Sequence, residues 1–258
     1  MALYAEYLLG VLSAVLGAIV GSFLNVCIYR IPPGKSIVFP ASHCPACEHP
    51  IKFYDNIPII SYIILRGKCR NCGEKISPIY PAIELLTAVM SLLLFRKYGL
   101  SFEYLFSFLF TCALIVITFI DLKHRIIPDV ITLPGIPLFT LAAILFMDIT
   151  LKSSLIGILA GGGCLYLVAF VYQLLTKREG MGGGDIKLLA MLGGFLGWQS
   201  LWFIIMASSL IGAVAGISAM ICKGKDTKYA VPFGPFLSIA AVAYIFWGNM
   251  VMKLLFYR

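Results

Sequence analysis

Charge is scarce in this chain. Asp, Glu, Lys and Arg together make up 12% of its 258 residues, whereas 60% are hydrophobic. That scarcity excludes an ordinary soluble domain of this length and leaves a polytopic membrane protein. No basic residue precedes the first apolar run, the first being Arg30 after it. A secretory signal carries its positive charge in front, so a cleavable leader is excluded and the run is read as a retained helix. Residues 29–78 contain no glycine-rich nucleotide fingerprint of the Rossmann kind. No internal repeat is evident.

What is present is a series of apolar runs. Measured against the roughly 20 residues that cross a hydrocarbon core, they predict an all-α protein with about eight transmembrane helices: 7–28, 79–95, 102–120, 130–147, 153–175, 186–198, 200–221 and 232–252. The sixth is short, and Gly193, Gly194 and Gly197 blur its limits. Placing 29–78 in the cytoplasm puts fifteen of the 20 Lys and Arg residues on that side, including Lys123, Arg125, Lys177, Arg178, Lys187, Lys223, Lys225 and Lys228. Arg96, Lys97, Lys152, Lys253 and Arg258 are left outside. This asymmetry predicts both termini outside. The net charge of +8 is then an orientation signal, and no nucleic-acid partner is expected.

Between the first two runs lies a polar insert, 29–78, broken by Pro32-Pro33-Gly34, Pro40, Pro45, Pro50 and Pro58. A segment this small cannot build much of a core alone. Cys44-Pro-Ala-Cys47 and Cys69-Arg-Asn-Cys72, 21 residues apart, have the spacing of a closed four-thiolate site, structural rather than catalytic. Zinc is the expected ion, with iron chemically open. A cytoplasmic insert disfavours disulfides, and a closed site has no need of His43 or His49. Cys27, Cys112, Cys164 and Cys222 lie in or at the ends of spans and read as packing residues.

Two aspartates stand where apolar runs meet basic turns. Asp121 ends the run Thr111 to Ile120, and Asp185 follows Gly180, Gly182, Gly183 and Gly184. Carboxylates at membrane depth are costly and therefore functional candidates by default. Each also has a structural reading. Asp121 could answer Lys123 and Arg125 at the interface, and Asp185 could cap a helix starting near Ile186. A cap needs no glycine run, whereas glycines permit positive φ and close backbone approach by an extended substrate. Taken together, the pair fits an aspartyl protease: of two close carboxylates one keeps a proton, the charged one activates water, and the protonated one donates to the scissile carbonyl. Asp129 is a rival for the first role and is ranked as supporting, because it sits at a helix start where the dipole favours it. Gly161-Gly162-Gly163 and the Gly212 to Gly216 cluster read as close helix packing. The rival function is a proton-coupled membrane transporter, which predicts mid-membrane carboxylates and an internal repeat and gives no reason for the cysteines.

An ordered set of motifs resembles the type IV prepilin peptidases over nearly the whole chain. It runs through Gly21-Ser-Phe-Leu-Asn25-Val, Tyr29-Arg30-Ile-Pro32, the tetracysteine insert, Asn56-Ile-Pro58, Ser61-Tyr62, Leu65-Arg66-Gly67, Ile76-Ser77 and Tyr80-Pro81 to Glu84. Asp121 to Asp129 and Gly182-Gly183-Gly184-Asp185 complete it. The resemblance implies an inner-membrane aspartyl protease of the GxGD type that removes the basic leader of prepilins or pseudopilins after a glycine. Asp121 and Asp185 would be the catalytic pair, with Asp129, Gly182, Gly183, Gly184 and Lys187 supporting or facing substrate. It also implies N-methylation of the new amino terminus with S-adenosylmethionine, an activity associated with the insert. Without a Rossmann fingerprint the methyl donor must be held another way, and Glu84 and the basic residues of the insert are the contributors considered. The expected domains are a first helix, 1–28, the insert, 29–78, and a membrane protease core, 79–258.

Overall fold

The computed structural model describes residues 2–176, 182–223 and 232–256. Gly180, Lys177, Arg178, Lys225, Asp226, Lys228 and Arg258 lie outside the described residues, as do the side chains of Cys222, Lys223 and Lys253.

The chain is helical, in the order α1 (Ala2–Arg30), a 3-10 turn (Phe53–Asn56), α2 (Ile60–Ile64), α3 (Ile79–Tyr98), α4 (Phe102–His124), α5 (Asp129–Phe146), α6 (Leu151–Thr176), α7 (Gly183–Leu196), α8 (Trp198–Lys223) and α9 (Gly234–Phe256). Among the described residues six helices are long and apolar enough to cross a membrane: α1, α3, α4, α5, α6 and α8. The expected count of about eight is therefore high. The expected sixth span is α7, only 14 residues long. The four-cysteine insert lies between the first and second spans, as expected.

Contacts divide the chain into two compact units, Met1–Val116 and Ile117–Arg258, with the boundary inside α4. In the first, α1 packs along α3 because glycine lets the backbones meet. A Cβ built at Gly17 would fall 2.7 Å from the Thr87 carbonyl oxygen, and one at Gly21 2.7 Å from Glu84 Cα. In lipid, where apolar burial gives no advantage between helices, such close packing and buried hydrogen bonds hold helices together. Ser91 Oγ donates to the Ser13 carbonyl at 2.7 Å and also pairs with Tyr104 Oη at 2.7 Å.

The second unit is built around α7, which packs against α5, α6, α8 and α9. Every residue from Leu188 to Leu196 is buried, so a short helix serves as the core. Its approach to α6 is set by Gly193 and Gly157, where a Cβ on either would overlap the other's carbonyl. Gly161 plays the same part, since its Cβ would lie 2.6 Å from the Leu189 carbonyl oxygen. Gly163 and Gly216 have open space around them, and Gly212 only meets Phe236. Close packing thus accounts for part of the two glycine clusters.

Candidate active site and metal centre

In the second unit, the C-terminal end of α4 and the N-terminal ends of α5, α7 and α9 come together. Asp121 lies one turn before the end of α4, and its side chain is buried. Oδ2 accepts the backbone N–H of Gly234 at 3.0 Å. That N–H belongs to the first turn of α9, one of the donors a helix leaves without an internal partner. The structural reading of Asp121, as an interfacial residue answering Lys123 and Arg125, does not describe this side chain, which turns inward to α9.

Asp185 sits in the first turn of α7, which begins at Gly183 rather than near Ile186. Gly182 is the N-cap, and Asp185 is the third helical residue rather than the cap. Its Oδ1 is buried and has no hydrogen-bond partner among the described residues, an arrangement costly enough to need a reason. Asp185 lies within electrostatic reach of Asp121. Ile127, in the α4–α5 connection, is wedged between the two arms: a Cβ at Gly184 would be 2.7 Å from Ile127 Cβ, and one at Gly234 3.2 Å from Ile127 Cδ1.

The glycine run acts differently from expectation. Gly182 has φ −67°, and Gly183 and Gly184 are already helical, so left-handed backbone is not what they supply. Gly184 provides closeness to Ile127, whereas among the described residues no atom lies nearer than 3.9 Å to a Cβ built at Gly182 or Gly183, beside Asp185. Asp129 does not join the carboxylate pair. It opens α5 and takes Lys187 Nζ on both oxygens, at 2.7 and 2.8 Å, in an exposed ion pair that ties α5 to α7.

Sequence reasoning missed Gly234 and Ile127. The available signal was Pro232-Phe233-Gly234-Pro235 at the head of the last apolar run. A glycine between two such breakers often marks close backbone approach.

In the first unit, the Sγ atoms of Cys44, Cys47, Cys69 and Cys72 all lie within 4.8 Å of one another. Each pair sits on a short knuckle. Cys44 N–H bonds to the His49 carbonyl and Glu48 N–H to the Cys44 carbonyl; Cys69 N–H bonds to Glu74 and Gly73 N–H to Cys69. Backbone amides at Cys72 and Asn71 pull the Cys69 thiol down to about 7, and the amide at His49 lowers Cys47. A backbone amide at Glu74 favours the Cys72 thiolate, but burial and the three neighbouring sulfurs outweigh it and push that thiol up to about 12. Four thiolates this close repel one another, and a divalent cation between them removes the conflict. The Cys44–Cys72 separation of 3.8 Å equals the edge of a tetrahedron with Zn–S bonds of about 2.3 Å. The donor set thus fits a tetrahedral metal. Asn71 Nδ2 approaches Cys47 Sγ at 3.8 Å, and neither His43 nor His49 belongs to the cluster. Cys27 and Cys112 are buried packing residues, whereas Cys164 is exposed.

Fold and site together define a class: a multi-pass helical membrane protein with two neighbouring carboxylates at one end of its helices and a four-thiolate insert. The model described as the bacterial peptidase A24 N-terminal domain matches residues 15–98, and that of the type IV leader peptidase family matches residues 108–217. A protein of Neisseria gonorrhoeae named prepilin leader peptidase/N-methyltransferase is 43% identical, over 89% of this chain and 87% of that protein. Proteins of the same name from Aeromonas hydrophila, 37% identical over 91% and 89%, and Pseudomonas aeruginosa, 36% over 92% and 90%, are similar throughout. No solved structure matches the chain significantly. The chain belongs to the type IV leader peptidase family.

Proposed function

We infer that this chain is a prepilin leader peptidase and N-methyltransferase, with Asp121 and Asp185 as the proteolytic pair. The observation that carries the proteolytic assignment is the disposition of the two carboxylates. Asp121 is fixed by an α9 amide, and Asp185, within its electrostatic reach, has a buried oxygen that no group among the described residues satisfies. Two such carboxylates share a proton more readily than both ionise. The charged member then takes a proton from water while the other donates to the scissile carbonyl. Their depth suits the substrate class, whose basic leader meets an apolar helix at the membrane surface. Both residues lie within a turn of a helix end, which a mid-membrane proton relay would not require.

The open space beside Gly182 and Gly183 admits an extended substrate backbone to Asp185. Asp129 and Lys187 hold the α5 and α7 ends in register around it. Zinc in the four-thiolate site closes the knuckles of the insert and has no open coordination position for chemistry. The insert, 29–78, supports the methyl transfer from S-adenosylmethionine, and 79–258 forms the protease core. The Lys and Arg asymmetry supports an active site on the cytoplasmic face of a bacterial inner membrane, with both termini outside. Pseudopilins of secretion systems share the leader chemistry and are substrates of the same kind.

The test is to incubate the purified protein in lipid with a prepilin and S-adenosylmethionine and follow the substrate by mass spectrometry. Loss of the leader together with gain of one methyl group is expected. Intact substrate with folded protein would overturn the assignment.

A further inference from the structure

The insert was expected to be a polar module, yet part of it exposes apolar side chains and is bonded to a residue inside α3. Ile59 has φ 63° and ψ −50°, and the Ile60 N–H bonds back to the Pro58 carbonyl at 2.6 Å. This is the strained form of a three-residue turn, unfavourable for a β-branched residue. The Ile59 N–H is held by Glu84 Oε2 at 2.7 Å, and the Ser22 hydroxyl bonds the same carboxylate.

Those partners set a depth. Glu84 lies five residues inside the start of α3, about 7 Å along the axis, and Ser22 lies eight residues before the end of α1, about 12 Å. Both helices are membrane-crossing. Ile59 is thereby fixed well inside the helix ends, and α2 starts at the next residue. The exposed side chains there are mostly apolar: Phe53 is 86% exposed, Ile63 68% and Ile64 68%, while Asn56 is exposed as well and Asp55 is taken up in an ion pair with Arg70. The same stretch, through Phe53 and Ile57 to Ile60, walls a cavity of about 1350 Å³ with α1 and α3. At its two ends stand the exposed cations Lys52 and Arg66, Lys52 lying over the Tyr54 ring.

We propose that residues 53–64 form an interfacial re-entrant segment, docked in the lipid leaflet at the Arg30 end of α1, with Phe53, Ile60, Ile63 and Ile64 among the acyl chains. Lys52 and Arg66 sit at headgroup level and favour anionic phospholipid, as basic residues flanking apolar membrane segments do. The short 3-10 turn and α2 satisfy much of the backbone internally, and Glu84 and Ser61 supply part of the rest: Ser61 Oγ bonds the Tyr54 carbonyl at 3.0 Å. Irregular backbone is tolerated at membrane depth where protein supplies such partners. The knuckles, with Asn71, Cys72 and Glu74 exposed, remain in water. The insert is thus anchored by lipid on one side and metal on the other.

The full-length protein in nanodiscs of mixed zwitterionic and anionic phospholipid tests this. A nitroxide is attached through a ketone-bearing unnatural residue at position 63, 64 or 71, which spares the knuckle cysteines. Power saturation is compared with oxygen, which concentrates in lipid, and with a water-soluble nickel chelate. Labels at 63 and 64 are expected to collide with oxygen several-fold more than with nickel, and the label at Asn71 to show the reverse. Nickel access at 63 equal to that at 71 would overturn the proposal, as would labels at 63 and 64 shielded from both reagents, which would mean that protein covers the face. Metal content measured on each labelled sample excludes unfolding as the source of either result.

Discussion

Gly234→Ala tests how closely Asp121 must be held. A methyl group there would lie 2.7 Å from Asp121 Oδ2 and 3.2 Å from Ile127 Cδ1. Ordinary contact lies near 3.4 Å or beyond, so the carboxylate must retreat by about 0.7 Å or α9 must shift by a similar amount. Misplacement by about 1 Å at a reacting group can lower the rate about 100-fold. A loss of about 10- to 50-fold in leader cleavage is therefore expected, equivalent to about 1.4–2.3 kcal/mol of transition-state stabilisation. The loss should fall on kcat, because the methyl group crowds the reacting carboxylate and not the substrate's apolar helix. Cleavage by purified protein in lipid, followed over substrate concentration, separates kcat from KM, and Gly163→Ala, whose methyl meets nothing within 4 Å, is the control. Wild-type kcat in Gly234→Ala would refute the reasoning, because it would mean that Asp121 need not keep its bond to α9.

Gly184→Val adds bulk where a Cβ already meets Ile127 Cβ at 2.7 Å, and is expected to reduce cleavage at least 10-fold while the protein still elutes as a monodisperse species; full activity would remove the close-approach argument. Gly193→Val forces side-chain atoms into the Gly157 carbonyl and should destabilise the α6–α7 pair by about 1–3 kcal/mol, read as a lowered thermal midpoint in detergent. Cys69→Ser removes one of four sulfurs and should bring metal, by elemental mass spectrometry, from about one ion per chain toward none; unchanged stoichiometry would contradict the four-thiolate site.

Much of this architecture is legible in the residues because lipid imposes strong rules. Apolar length marks α1, α3, α4, α5, α6 and α8, and the two CxxC pairs announce a cluster that the fold then closes. Length is the weak point where a helix is surrounded by protein. α7 can be short because its neighbours, rather than lipid, cover it, and its glycines shorten helix–helix distances rather than turn the backbone. The positions of Asp121, Asp185, Asp129 and Lys187 at helix ends follow from where apolar runs stop. Their pairing does not, since it depends on which ends converge. Asp129 meets Lys187 across 58 residues, and Asp121 meets Gly234 across 113. The insert misleads for another reason. Its composition reads as aqueous on average, but its depth is set by one bond between Ile59 and a carboxylate inside α3.

The most direct test of the central claim replaces each aspartate in turn. Wild-type protein, Asp121→Asn and Asp185→Asn are reconstituted in lipid and given an uncleaved prepilin, and separately a pre-cleaved pilin with S-adenosylmethionine. Both variants are predicted to lose leader cleavage by at least about 1000-fold while methylating the pre-cleaved substrate at near the wild-type rate, which shows that they are folded. Cleavage within a few-fold of wild type in either variant would contradict a shared-proton mechanism and dismiss the pair as the proteolytic centre.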